Sequence, residues 1–75
     1  MNRLSRGFND IVKSRNGGYV FIDSRDTLDK GYETMVFECD ENGVVDNWLE
    51  LDVARYDTVE AMTEGHVKMI YKWKE

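Results

Sequence analysis

Hydrophobic and polar residues alternate along two runs that flank Glu41-Asn42-Gly43. On the first run Met35, Phe37 and Cys39 fall on one side, and Tyr32, Thr34, Val36 and Glu38 on the other. On the second, Leu49, Leu51 and Val53 alternate with Glu50, Asp52 and Ala54. A period of two is that of a strand with one buried and one wet face. Asn-Gly between two such runs predicts a tight hairpin turn, because both residues tolerate positive φ. Val44-Val45 is then the start of the returning strand, and Asp46-Asn47 interrupts it with a bulge or a second turn before Trp48.

The period changes towards the C-terminus. Val59, Met62, His66, Met69, Ile70 and Trp73 recur at three- and four-residue steps, which predicts an amphipathic helix over 58–73. Asp57 reads as its N-cap, with Glu60 reaching back three residues later. Early Glu60 and Glu64 and late Lys68, Lys72 and Lys74 suit the helix dipole. Towards the N-terminus, Leu4, Phe8, Ile11 and Val12 suggest a short helix over Arg3 to Ser14, capped by Asn2. Asn16-Gly17-Gly18 is then its stop, since glycine readily closes a helix C-terminus. Tyr19 to Asp23 has the β-branched and aromatic content of a strand, and Ser24 to Lys30 reads as a polar loop.

These elements predict an α+β domain. A three-stranded antiparallel sheet packs one face against a C-terminal helix, with a short N-terminal helix beside it. Its expected parts are a basic helix or arm over 1–18, the sheet over 19–56 and the helix over 57–74. The expected core is Phe37, Leu51, Met62, Ile70 and Trp73. At 75 residues the chain is one domain near the lower limit for a self-sufficient core.

Composition adds little to this picture, but charge changes it. Apolar residues make up 41% and charged ones 33%, which is globular composition. Runs such as Tyr19–Ile22 are far too short to span a bilayer, and residues 1–15 lack the apolar stretch of a signal peptide. The net charge of −5 is unevenly placed. Residues 1–15 carry Arg3, Arg6, Lys13 and Arg15 against Asp10, a balance of +3. Residues 38–64 carry nine acids against Arg55 alone, a balance of −8. A basic arm therefore precedes an acidic body.

Candidate chemistry is sparse. His66 is the single histidine, and it lies within the apolar stripe. A general base or metal ligand is one reading; a half-buried histidine bonded to a strand backbone or an acidic neighbour is the other. With no second histidine or thiol at ligand spacing, the structural reading is favoured. Cys39 is a nucleophile only if a base stands beside it, and otherwise a small core residue that fits a reducing compartment. Asp40-Glu41-Asn42-Gly43 lacks the later bidentate glutamate of a calcium loop and reads as turn chemistry. No enzyme, metal or cofactor is expected. The two binding readings are opposite in sign. Glu38, Asp40, Glu41, Asp46, Glu50 and Asp52 form an acidic surface for a partner with a basic groove. Alternatively, Arg3, Arg6, Lys13 and Arg15 contact nucleic acid.

One combination is recognisable. Glu33-Thr34-Met35-Val36-Phe37, the acidic turn with Gly43, Leu51-Asp52, Arg55-Tyr56-Asp57-Thr58, Glu60-Ala61, Gly65-His66 and Met69 together resemble a group of small bacteriophage-encoded proteins of undefined function. The resemblance covers about residues 32–73 and does not reach the basic arm. It implies a phage accessory protein in the cytoplasm of an infected bacterial host, with no catalytic residues to carry over. In that setting the expectation is a non-enzymatic inhibitor that binds a host protein, such as a CRISPR effector or another nucleic-acid-binding defence system. A homo-oligomer is compatible with this reading, whereas a membrane partner is not part of it.

Overall fold

The computed structural model describes residues 7–75. Four strands, β1 (Gly7–Lys13), β2 (Tyr19–Asp26), β3 (Tyr32–Cys39) and β4 (Asp52–Tyr56), precede one helix, α1 (Val59–Trp73). They form an antiparallel meander in the order β1-β2-β3-β4. The α+β class with a C-terminal helix on one sheet face is as expected, but the sheet has four strands.

The extra strand replaces the expected N-terminal helix over residues 7–13; residues 3–6 of that helix lie outside the described residues. Phe8, Asp10 and Val12 alternate with Asn9, Ile11 and Lys13, and β2 offers an otherwise unpaired edge of eight residues. Pairing along that edge outweighs the weak helical period, which Gly7 and β-branched Ile11 and Val12 already disfavour. Asn16-Gly17 is accordingly a hairpin turn, with the Ser14 amide donating to the Gly18 carbonyl at 2.8 Å. Strand β2 also continues through Ser24 to Asp26, so the loop after it is short and turns at Gly31 with φ +85°.

The expected faces are exchanged. Val20, Ile22 and Ser24 of β2, Thr34 and Val36 of β3, and Val12 and Ala54 of the edge strands share the helix-facing side. Met62, His66 and Met69 of α1 are buried against them. Phe37 is buried as expected, yet it points away from the helix. It pairs with Phe21 across β2 and β3, and Trp48 covers both with edge-on contacts at 4.9 and 6.5 Å between ring centroids. Ile70 and Trp73 lie at the margin of the core, and Leu51 is 49% exposed.

The segment between β3 and β4 accounts for the exchange. A turn does form at Asp40–Val44: the Asp40 carboxylate accepts from the Asn42 and Val44 amides at 2.8 and 2.9 Å, and Gly43 has φ +84°. It does not lead directly into a strand. Residues 40–51 fold over the outer face instead, with Trp48 as the anchor, and the Asn47 side chain makes a second turn by accepting from the Leu49 amide at 3.1 Å.

Helix α1 starts one residue later than expected, because Thr58 rather than Asp57 is the N-cap and its Oγ1 accepts from the Ala61 amide at 3.0 Å. At its other end the β1–β2 turn meets it. The Arg15 guanidinium donates to the Lys72 carbonyl at 2.7 Å, and the Arg15 amide to the Trp73 carbonyl at 3.2 Å. A cation on the last carbonyls opposes the negative end of the helix dipole. Fifteen residues of helix reach roughly 22 Å, enough to cross the sheet.

Candidate functional site

Two arrangements bear on function: a buried polar chain beneath α1 and the acidic connection over the outer face. The buried chain begins at Asp10 on β1, whose carboxylate meets His66 Nε2 at 2.8 Å. His66 Nδ1 lies 2.6 Å from Ser24 Oγ, Ser24 Oγ lies 2.5 Å from Thr34 Oγ1, and the Tyr56 hydroxyl donates to Thr34 at 3.1 Å. A carboxylate only accepts, so in the neutral imidazole Nε2 carries the hydrogen and Nδ1 accepts from Ser24. Ser24 then accepts from Thr34, and Thr34 from Tyr56. Every donor along the chain is used in one direction.

Asp10, His66 and Ser24 have the order of a nucleophilic triad, but the access is reversed. Ser24 is fully buried and saturated by two partners, while the exposed end is the Asp10 carboxylate. No substrate can reach the hydroxyl, and Phe8 closes edge-on over the imidazole at 5.0 Å. The acidic neighbour expected for His66 is therefore Asp10. Ser24, Thr34 and Tyr56 were not legible as its companions, because only sheet register aligns them. Cys39 is half-buried on the outer face. Burial, and then the Asp40 and Glu38 carboxylates, push its thiol up, away from the thiolate that a nucleophile needs. Among the described residues no three His, Cys, Asp or Glu side chains stand together as metal ligands.

The six acidic candidates divide into two kinds. Asp40 is engaged in its turn. Asp52 faces the helix side, where it meets Lys72 Nζ at 2.7 Å and accepts from Trp73 Nε1 at 3.1 Å. Burial, the largest single influence, raises its carboxyl; Lys72, Trp73 and the Val53 amide together outweigh this and hold it below the ordinary value. Asp52 therefore does not share a wet face with Glu50 as the alternation had suggested. Glu38, Glu41, Asp46 and Glu50 are exposed and make no ion pair among the described residues. Glu38 and Asp46 line a cavity of about 240 Å³ with Cys39, Asp40, Val44 and Asn47.

What alternation did not reveal is the apolar content of the same segment. Trp48 is 61% and Leu49 71% exposed, and Val44 and Leu51 are each about half exposed. Four large apolar side chains thus stand among carboxylates over twelve residues that contain no cation. The one signal in the sequence was that Trp48-Leu49 follows two turn-forming residues.

Of the four basic candidates, two lie within the described residues, and both are engaged by the chain's own groups. Arg15 binds the helix end, and Lys13 stands 3.8 Å from Glu75. Arg3 and Arg6 lie outside the described residues. No described helix is long and apolar enough to cross a membrane. Comparisons with protein-family models, with curated proteins and with solved structures found no match.

The Asp52 geometry makes one prediction. A carboxylate whose folded value is depressed adds stability above its unfolded value, and that stability is lost as pH falls through the folded value. Asp52→Asn is expected to cost about 1–2 kcal/mol at neutral pH, discounted for the exposed Lys72 ammonium. The difference from wild type should shrink towards zero well below the ordinary carboxylate range. Urea midpoints at neutral and strongly acid pH check this; an equal deficit at both would leave the ion pair without a role.

Proposed function

We propose that the protein acts by binding rather than by catalysis, and that the β3–β4 connection is its contact surface. The observation that carries this reading is the exposure of Trp48, Leu49, Val44 and Leu51 among Glu41, Asp46 and Glu50. Tryptophan is enriched at binding hot spots, and large apolar side chains left exposed among polar groups are typical of an interface. The carboxylates add long-range attraction to a basic partner and speed encounter. The partner is a protein with a positively charged groove and an apolar recess. The resemblance to small phage proteins supports a bacterial host protein as that partner. Nucleic-acid-binding defence proteins such as CRISPR effectors carry such grooves, and occupation of the groove would inhibit them.

The test is capture from host lysate followed by kinetics on the purified partner. Leu49→Ser is expected to weaken binding about 30- to 100-fold, the equivalent of about 2–3 kcal/mol at a central contact. Reversing Glu41, Asp46 and Glu50 to Lys should slow association at least about tenfold, with the effect fading as salt rises. Circular dichroism should be unchanged in both, since these side chains are exposed. If both variants bound the captured protein like wild type, the connection would not be the contact surface.

A further inference from the structure

The two edges of the sheet differ. At the β1 edge the chain covers part of its own strand: Ser14 pairs with Lys74, and the Glu75 amide donates to the Lys13 carbonyl at 3.1 Å. The β4 edge has no strand beside it among the described residues; the Val53 amide donates to the Asp52 carboxylate at 2.9 Å, and the remaining outward N–H and C=O groups have no strand to pair with. Beside it, between β4 and α1, runs a groove of about 300 Å³. Small Ala54 and the Met69 side chain line it. One end is closed by the Tyr56 ring, which lies on Gly65 so closely that no Cβ would fit there. The Asp52–Lys72 pair marks the other end. Lys68 also lines the groove and makes no ion pair among the described residues.

We propose that the β4 edge and this groove take up an extended acidic segment of a partner protein by strand addition. An open edge supplies main-chain hydrogen bonds, and a groove beside it receives every second side chain. Five residues of strand offer about 14–17 Å, the length of four or five added residues. The Lys68 ammonium chooses the sign of the occupant, since Lys72 is already paired with Asp52. It also disfavours a second copy of this chain, which would bring its own unpaired Lys68 to the same edge. This surface is separate from the β3–β4 connection, and either can hold without the other.

The probe is an acetylated heptapeptide of alternating glutamate and valine, titrated into labelled protein and followed by amide shifts. A lysine–valine counterpart is the control. The acidic peptide is expected to shift amides of β4 and of residues 65–72 in α1. Lys68→Glu, on the helix surface, should weaken it about fivefold. Ala54→Leu, which fills the groove, should abolish the shifts while the spectrum elsewhere stays folded. Leu49→Ser should leave them unchanged. The proposal is overturned if the acidic peptide causes no shifts at millimolar concentration, if the lysine peptide binds equally, or if the shifts map to β1. A β4-paired dimer in light scattering would overturn it as well.

Discussion

Replacing His66 by alanine is expected to lower the unfolding free energy by about 3–5 kcal/mol, a large share of the roughly 5–10 kcal/mol available to a domain of this size. The ring is 4% exposed and joins strands β1 and β2 to α1 through Asp10 and Ser24. Its removal leaves a cavity under Phe8 and strips the buried Ser24 hydroxyl of its acceptor. An orphaned buried donor alone costs about 1–3 kcal/mol. His66→Gln, which can keep one of the two bonds, should cost less than half as much. Both variants should still bind the partner at a temperature where they are folded, because the ring does not reach the surface. Urea unfolding checks the first part. An alanine variant within about 1 kcal/mol of wild type would mean that the chain does not hold the sheet to the helix. Stoichiometric metal in the wild-type protein, lost in His66→Gln, would return the histidine to the ligand reading.

How much of this was readable in advance depended on the range of the interactions. Helix α1 was legible because its stripe is long and its burial is repeated over four turns; only the cap shifted, from Asp57 to Thr58. Strand β3 was legible as a strand but not as to which side it buries. Val36 and Phe37 are both apolar and both buried, one under the helix and one under Trp48. Alternation cannot choose between faces when each has its own cover. The N-terminal segment failed for a different reason. Its helical period was weak, and the decisive partner, the β2 edge, is tertiary. A local signal was nonetheless present, since Asn16-Gly17 is the same hairpin dipeptide as Asn42-Gly43. The acidic candidates were found by charge alone, which sees neither the turn that engages Asp40 nor the Lys72 that engages Asp52. Charge also passes over the exposed Trp48 and Leu49, the residues on which the binding reading now rests.

The assignment of two separately covered sheet faces has its own consequence for stability. Ile22→Ala is expected to cost about 2–5 kcal/mol, because Ile22 is fully buried between the sheet and α1 and its loss leaves a cavity. Leu51→Ala should cost less than about 1 kcal/mol, since half of that side chain already meets solvent. Phe37→Ala should be severe too, at about 3–5 kcal/mol, but through the outer face. A double-mutant cycle separates the two faces. Phe37 and Trp48 touch edge-on at 4.9 Å, so their truncations should couple by about 0.5–1.5 kcal/mol. Phe37 and Met62 lie on opposite sides of the sheet, and their truncations should add within about 0.5 kcal/mol. Coupling of Phe37 to Met62 with none to Trp48 would put Phe37 under the helix after all. It would also strip the β3–β4 connection of its anchor, and with it the exposed surface proposed to meet the partner.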